Sequence, residues 1–148
     1  IVRQEGNNAH THPFVSVYEA YKKSGPNVLG VEALQGDDGC TGVKVNTADG
    51  YADYLFSATD MQAHHPSKRF SFCGGLGLIR EKEGQIQLMY LGCGRSLKKG
   101  NFVLESDHDV YAAIYMQHGV WYYSATGPVR VKIGKETKEL NEGYNQKL

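Results

Sequence analysis

Two histidines near the start of the chain, His10 and His12, have the spacing with the clearest potential for metal chemistry. Side chains at positions i and i+2 of a β-strand face the same side, and imidazole is a common zinc ligand. A carboxylate ligand is missing at a suitable spacing, because Glu19 lies an odd number of residues from His12 and faces away in a regular strand. We therefore interpret both histidines as residues of a polar loop and predict no metal site.

Two further segments combine histidine with groups that could exchange protons or bind a cation. His64 and His65 precede Pro66, and since adjacent strand residues diverge, we predict that both histidines are solvent-facing loop residues. Residues 107–109, with the sequence Asp-His-Asp, could bind a cation or act as an acid and a base. They follow a β-prone run, and their types favour a turn with side-chain-to-backbone hydrogen bonds.

Glycine clusters at residues 74–77 and 92–94, and the pair at 134–135, resemble phosphate-binding loops only superficially. None has the G-x-G-x-x-G or P-loop spacing, and no helix follows the two clusters to bind an anion at its N-terminus. Glycines inside strand patterns instead mark bulges or close backbone approach. The three cysteines, Cys40, Cys73 and Cys93, lack a catalytic signature and form either one disulfide or, as we favour, three buried thiols. The sequence thus predicts no catalytic, cofactor-binding or metal residue, and no cofactor.

Aromatic residues recur at alternate positions in two successive runs, as Tyr111 and Tyr115 and then as Trp121 and Tyr123. One face of such a ribbon could stack on sugar rings. We favour the alternative that these side chains fill a protein core, because the neighbouring positions Ala112 and Ile114 are apolar too.

The elements that must position these residues are short β-prone runs separated by turns. The 148 residues include 18 glycines and 10 tyrosines, and no window keeps helical periodicity over twelve residues. Turn signals such as His118-Gly119 and Asp49-Gly50 separate the runs at intervals that favour antiparallel pairing. We predict an all-β, antiparallel β-sandwich of about eleven short strands, at residues 14–21, 28–34, 42–45, 53–57, 69–73, 76–80, 86–91, 102–105, 110–116, 120–123 and 129–133.

Length and charge limit the classes of protein further. One domain over residues 1–148 is expected from the length, with a frayed polar tail at residues 139–148. The 16 basic residues balance the 16 acidic ones, so the chain has no global attraction for nucleic acid or an anionic membrane. No apolar run approaches the roughly 18 residues of a membrane span. Because the chain starts at Ile1 without a signal peptide, we expect a mature product or a piece of a longer protein.

The order of several runs is similar to the C-terminal β-rich part of heparinase II/III-like polysaccharide lyases. The segments that carry this resemblance are FVSVYEAY at 14–21, VLGVEAL at 28–34, DYLFS at 53–57, GLGLIR at 75–80, the stretches 84–91 and 95–97, and YSATGPV at 123–129. Each motif is degenerate, so the specificity lies in their order. Ala20 departs from the pattern, which has proline at that position.

This resemblance implies the C-terminal portion of a larger, periplasmic or secreted lyase that acts on an acidic, glycosaminoglycan-like polysaccharide by β-elimination. An α/α-toroid of the same protein would supply much of the cleft, and this segment would support it. None of the family's catalytic motifs matches this sequence, so no catalytic residue is carried over. Cations that could meet an acidic sugar are Lys22, Lys23, Arg69, Arg95, Lys98 and Lys99.

Two other classes remain open from the sequence. One is an independent carbohydrate-binding module with an exposed aromatic face. The other is a small metal-dependent β-barrel enzyme that uses His10 and His12.

Overall fold

A computed structural model describes residues 16–20, 25–34, 39–67 and 70–148. These residues form eleven antiparallel β-strands and no helix, which confirms the predicted all-β class. No helix in this part of the chain is therefore available to cross a membrane. The strands are β1 (Val28–Leu34), β2 (Cys40–Thr47), β3 (Tyr51–Ala58), β4 (His65–Pro66), β5 (Ser71–Lys82), β6 (Gln85–Lys99), β7 (Phe102–Gln117), β8 (Val120–Ala125), β9 (Val129–Ile133), β10 (Glu136–Leu140) and β11 (Gly143–Lys147).

One continuous sheet forms both layers of the sandwich. Its strand order is β1-β2-β3-β5-β6-β7-β8-β11, with β4 on β5, β9 on β7 and β10 on β9. The first part of β7 pairs with β9, and its last part pairs with β8. The larger layer comprises β1, β2, β3, the C-terminal part of β5, the N-terminal part of β6, the C-terminal end of β7, β8 and β11. The smaller layer comprises β4, the start of β5, the end of β6, the start of β7, β9 and β10.

Glycines at the bend allow the long strands to pass from one layer to the other. Register shifts occur between Cys73 and Gly74 in β5 and between Leu91 and Gly94 in β6. A β-carbon added to Gly94 would lie 2.7 Å from the Gly74 Cα, so the two backbones approach too closely for a side chain. The prediction of bulges at these two glycine clusters is confirmed. The predicted runs 69–73 and 76–80 merge through this bend into β5, and the runs 102–105 and 110–116 form the single strand β7.

Both ends of the chain differ from the predicted strand pattern. Of the predicted strand at residues 14–21, only 16–20 are described, and these are not in a strand. The frayed tail predicted at 139–148 is wrong, since Leu140 pairs with Val129, and Gly143 pairs with Ala125. The strands involved, β10 and β11, have mostly polar side chains. They are held by backbone pairing with β9 and β8, at the edges of the sheet.

The core lies between the two layers. Its largest fully buried side chains are Phe56, Phe72, Ile79, Met89, Leu91, Leu97, Leu104 and Ile114. Rings from opposite layers meet within it, with centroids 6.0 Å apart for Phe56 and Phe72 and 5.8 Å apart for Phe102 and Trp121. These contacts show that the layers face each other as a sandwich.

Lys99 crosses between the layers and does not face an external ligand. Its Nζ lies 2.8 Å from Glu81 Oε1 and 3.5 Å from the centroid of the Tyr54 ring. The Lys99 and Glu81 side chains are only 17% and 13% exposed. We therefore withdraw Lys99 from the cations that could meet an acidic sugar. Lys99 thus links the two layers through its ion pair with Glu81 and its contact with the Tyr54 ring.

The four aromatic residues singled out in β7 and β8 point to two different faces. Trp121 and Tyr123 pack against the core, as predicted. Tyr115 pairs with Tyr122, on the opposite side of the larger sheet from Ile114, and Tyr111 is 54% exposed. The core prediction is therefore correct for β8 and wrong for β7.

None of the three cysteines forms a disulfide in this structure. Cys40 and Cys73 are buried, and Cys93 is half-buried. Burial raises the pKa of the Cys73 thiol, which makes it a poor nucleophile at neutral pH.

Candidate functional site

A polar cleft of about 470 Å³ opens on the outward face of the smaller layer. The register places Ser96, Glu105, Arg130 and Glu139 side by side on four adjacent strands. Because directly opposed residues in an antiparallel sheet point the same way, all four side chains reach this face. The complete lining is Arg95, Ser96, Glu105, Ser106, Asp107, His108, Pro128, Val129, Arg130 and Glu139.

A second groove of about 550 Å³ continues from the first, and the two share Ser96 and Glu105. Its lining adds His64, Ser71 and Lys98. Together the two grooves form an extended polar trough across the smaller sheet, which we call the cleft.

Arg130 is held at the centre of the cleft by two carboxylates. Its Nη1 donates to Glu105 Oε1 at 3.1 Å, and its Nε donates to Glu139. The hydrogen bond to Glu139 and then that to Glu105 raise the pKa of Arg130. The guanidinium is thus a fixed cation whose charge is balanced by neighbouring strands.

Arg95 and Asp109 form a second fixed pair at the edge of the cleft. Arg95 Nε donates to Asp109 Oδ1 at 3.0 Å, and Gln62 Nε2 donates to Asp109 Oδ2 at 3.0 Å. The hydrogen bond from Arg95, followed by that from Gln62, holds the pKa of Asp109 below its usual value. Arg95 makes this contact through Nε, and its side chain is 46% exposed.

Replacing Arg95 with glutamine is expected to raise the pKa of Asp109, because the largest cause of its lowering is removed. A titration of the Asp109 carboxyl carbon by NMR measures this shift, with Lys98→Gln as a control that removes a cation from the cleft but not this hydrogen bond. The native pair favours the folded state above the unfolded pKa, and this contribution is lost as the pH falls through the native pKa. An unchanged Asp109 titration in Arg95→Gln would show that the pair does not form.

The adjacent histidines have different environments. His64 is exposed, as predicted, and its Nε2 lies 2.8 Å from Ser71 Oγ at the wall of the cleft. The prediction for His65 is wrong. This residue is only 5% exposed, and it lies in β4, where it pairs with Phe72 of β5. The pairing places the His65 ring 6.5 Å from the Phe72 ring in the core, where it contributes packing.

The segment 107–109 belongs to β7 and is not the predicted turn. The register passes from Ser96 opposite Glu105 to Gly94 opposite Val110, so β7 carries more residues than β6 across this interval. The surplus residues bulge out of the ladder, and this brings Asp107 and His108 into the cleft lining. His108 N donates to Ser106 Oγ at 3.3 Å within the bulge.

The sequence motifs are only partly united by the fold. Arg95, Lys98, His64 and residues 107–109 meet at the cleft, whereas His10, His12, Lys22, Lys23 and Arg69 lie outside the described residues. Among the described residues, no group of three or more histidines, cysteines or acidic residues could hold a metal ion. The prediction that the chain has no metal site is untested at His10 and His12.

Sequence reasoning missed Arg130, Glu105, Glu139 and Gln62. Each occurs alone in a strand or loop without a motif, and only the strand register brings them together. Glu139 was also obscured because its segment was predicted to be frayed.

The chemistry available in the cleft is hydrogen bonding to a polar ligand. Its arginines are oriented by carboxylates, and serine hydroxyls and two histidines supply further donors and acceptors. The acidic and basic groups of the lining nearly balance, and they suit a ligand that offers both hydroxyl and carboxylate groups.

Comparisons with known proteins relate this chain to one domain of a known lyase. Residues 28–116, from the start of β1 into β7, match the family described as the endo-acting ulvan lyase C-terminal domain. The endo-acting ulvan lyase of Formosa agariphila is 33% identical over 112 aligned positions, and the match covers 72% of this chain and 14% of that protein. No solved structure matches.

Proposed function

Since the chain belongs to the endo-acting ulvan lyase C-terminal domain family, we propose that it is the C-terminal β-sandwich of a larger polysaccharide lyase. The substrate of the complete protein is ulvan or a related uronic-acid-containing polysaccharide, cleaved by β-elimination. This domain supports the catalytic part and contacts the sugar chain, and it does not carry the catalytic base.

The observation that carries this proposal is the family match over residues 28–116, more than half of the chain. The matched segment contains the bend glycines of β5 and β6 and the bulge at 107–109, which build the sandwich and its cleft. The chain spans only 14% of the length of the ulvan lyase that it resembles, and this supports a division of labour between domains.

β-Elimination requires a base that removes the proton next to the uronate carboxylate and a polar group that stabilises the resulting charge. The acidic groups Asp109, Glu105 and Glu139 are engaged by arginines, an arrangement that orients side chains for binding and does not prepare them to accept a proton. We therefore assign the base to another part of the protein. We also propose that this other part is an α/α-toroid related to the heparinase II/III-like lyases. The proposed substrate range extends to glycosaminoglycan-like polysaccharides.

The cleft is the surface through which this domain would contact the polysaccharide. The terminal amino groups of Arg95 suit a bidentate contact with a uronate carboxylate, and Ser71, Ser96 and His64 suit sugar hydroxyls. A polysaccharide substrate also implies a periplasmic or secreted protein, where such polymers are encountered.

The isolated chain is expected to release no unsaturated uronate ends from ulvan, heparin, heparan sulfate, chondroitin sulfate or alginate. The measurement is the ultraviolet absorbance of the double bond that β-elimination creates, with the complete protein as the positive control. Cleavage by the isolated chain would refute the division of labour. Failure of the complete protein on all five polymers would refute the lyase assignment.

A further inference from the structure

The exposed side chain of Tyr111 lies where β7 leaves the bulge at 107–109 and enters the larger layer. Tyr111 is 54% exposed, although both of its neighbours in the strand, Val110 and Ala112, are buried. Since successive side chains of a strand point to opposite faces, the Tyr111 ring points away from the core. The cleft lining includes His108, three residues earlier, so Tyr111 stands just beyond the edge of the cleft.

The backbone of Tyr111 is fixed by the residue that follows β8. Tyr111 N donates to Thr126 Oγ1 at 3.0 Å, and Thr126 N donates to the Tyr111 carbonyl oxygen at 3.0 Å. The regular pairing of β7 with β8 begins at the next residue, Ala112. The ring therefore stands on a support that is already ordered, which lowers the entropic cost of binding a ligand there.

Two further side chains extend the ring of Tyr111 into an aromatic patch, which comprises Leu76, Tyr90 and Tyr111. Leu76 pairs with Gly92 from the β5 side, and Tyr111 lies on the β7 side, one residue beyond the last regular pair of β6 and β7 before the bulge. A β-carbon added to Gly92 would lie 3.0 Å from Tyr90 Cε1 and 3.3 Å from the Leu76 β-carbon. Because Gly92 has no side chain, the Tyr90 ring occupies the space between Leu76 and Tyr111. Leu76 is 45% exposed, so the patch is open to solvent on both sides of β6.

A restrained guanidinium flanks the aromatic patch on the side of the cleft. Asp109 and Tyr111 lie on either side of the buried Val110, about 7 Å apart along the strand. Asp109 holds Arg95 through the hydrogen bond of 3.0 Å described above, and the Arg95 side chain is 46% exposed. A guanidinium has five N–H donors, and this bond uses one of them. An exposed ring and an exposed cation are thus held next to each other by one strand.

We propose that Tyr111 and Arg95 form a subsite for one uronate residue of the polysaccharide. The sugar ring stacks on Tyr111, and its carboxylate accepts hydrogen bonds from Arg95. This inference rests on the proposed function, because it takes the ligand to be the polysaccharide on which the lyase acts. The negative face of an aromatic ring attracts the C–H groups of a sugar ring, and a guanidinium binds a carboxylate through charge-assisted hydrogen bonds. The subsite adds an exposed tyrosine ring to the hydrogen-bonding groups of the cleft.

Hydroxyl-radical footprinting of the complete protein tests this contact without any substitution. Peptide mass spectrometry reports the oxidation rate of Tyr111 and that of His118, an exposed control residue in the turn at the far end of β7. Saturating ulvan is expected to slow the oxidation of Tyr111 by about fivefold or more relative to His118, because a stacked sugar ring covers its exposed face. Dextran, a neutral polysaccharide, controls for radical scavenging at the same mass concentration and is expected to protect neither residue. An unchanged Tyr111 rate in ulvan would overturn the subsite.

Substitutions separate the roles of the ring and the guanidinium. Tyr111→Ala is expected to raise KM for ulvan by about two- to tenfold at an unchanged kcat, whereas Tyr111→Phe, which keeps the ring, retains the parental KM. Equal KM values for the two variants would overturn the stacking. Arg95→Gln is expected to reduce the protection of Tyr111 by ulvan, and full protection in this variant would overturn the carboxylate contact.

Two comparisons decide the remaining points. Protection of Tyr111 by dextran as well as by ulvan would overturn the assignment of the subsite to a uronate. An assay for unsaturated uronate ends on the same samples separates this proposal from the proposed function. Cleavage of ulvan with an unprotected Tyr111 refutes the subsite alone, and protection of Tyr111 in a protein that releases no unsaturated ends refutes the lyase assignment alone.

Discussion

Replacing Phe72 with alanine is expected to lower the free energy of unfolding by about 3–5 kcal/mol. Phe72 is fully buried, and its ring packs against the backbone at Gly74 and Gly77, where an added β-carbon would lie 3.2 Å and 3.1 Å from ring atoms. These close backbone contacts limit how far the site can collapse, so truncation leaves a cavity at the bend. The loss is a large share of the roughly 5–15 kcal/mol of a typical domain.

Urea denaturation measures this change, and Tyr144→Ala serves as the control. Tyr144 is 64% exposed on β11, so its truncation is expected to change stability by no more than about 0.5 kcal/mol. A Phe72→Ala variant within about 1 kcal/mol of the parent protein would show that this part of the core is not packed as described.

Replacing Gly94 with alanine is expected to destabilise the fold by about 1–3 kcal/mol, or more if the bend cannot adjust. The new methyl group would lie 2.7 Å from the carbonyl oxygen of Cys73 and 2.7 Å from the Gly74 Cα. Both are backbone atoms, which cannot rotate away as a side chain can. The strands β5 and β6 would have to separate where they turn from one layer into the other.

Gly30→Ala is the matched control for this substitution. Gly30 lies in the edge strand β1, and the Asn46 side-chain amide nitrogen, 4.0 Å away, is the nearest atom to a β-carbon added there. Its effect on stability is expected to be within about 0.5 kcal/mol. Thermal denaturation of the three proteins compares them, and equal midpoints for Gly94→Ala and Gly30→Ala would contradict the close approach at the bend.

The β-sandwich was accessible from the sequence because β-prone runs and glycine turns are local signals. The sequence could not show that β5 and β6 continue through their glycines. Glycines such as those at 74–77 and 92–94 give the same sequence signal whether they end a strand or bend it. The strands β10 and β11 were missed for a related reason. Their polar side chains carry no burial signal, and their pairing with β9 and β8 depends on tertiary structure.

The cleft was only partly predictable. Arg95 and Lys98 drew attention as cations, but Arg130 and its carboxylate partners come from strands far apart in the sequence. Lys99 shows the opposite case, since its neighbour Lys98 lines the cleft while strand alternation turns Lys99 toward Glu81 and Tyr54. One residue of register thus separates a surface cation from a structural one.

The order of degenerate motifs indicated the C-terminal part of a polysaccharide lyase, and the match to a lyase C-terminal domain family confirms that level of the prediction. The family found is that of the ulvan lyase C-terminal domain, so the narrower likeness to heparinase II/III-like enzymes stays a prediction. The barrel alternative is wrong, because the sheet formed by the described residues does not close. Its metal ligands, His10 and His12, lie outside the described residues.

If this domain serves a lyase without carrying its base, the complete protein must keep its turnover when the histidines of the cleft are removed. The measurement is kcat for unsaturated-uronate formation from ulvan by the parent protein and by the double variant His64→Gln, His108→Gln, which removes both histidines of the cleft. We expect a kcat within about twofold of the parent, with any loss of sugar contact appearing in KM. A fall in kcat of about 100-fold or more, the effect of removing a general base, would contradict it.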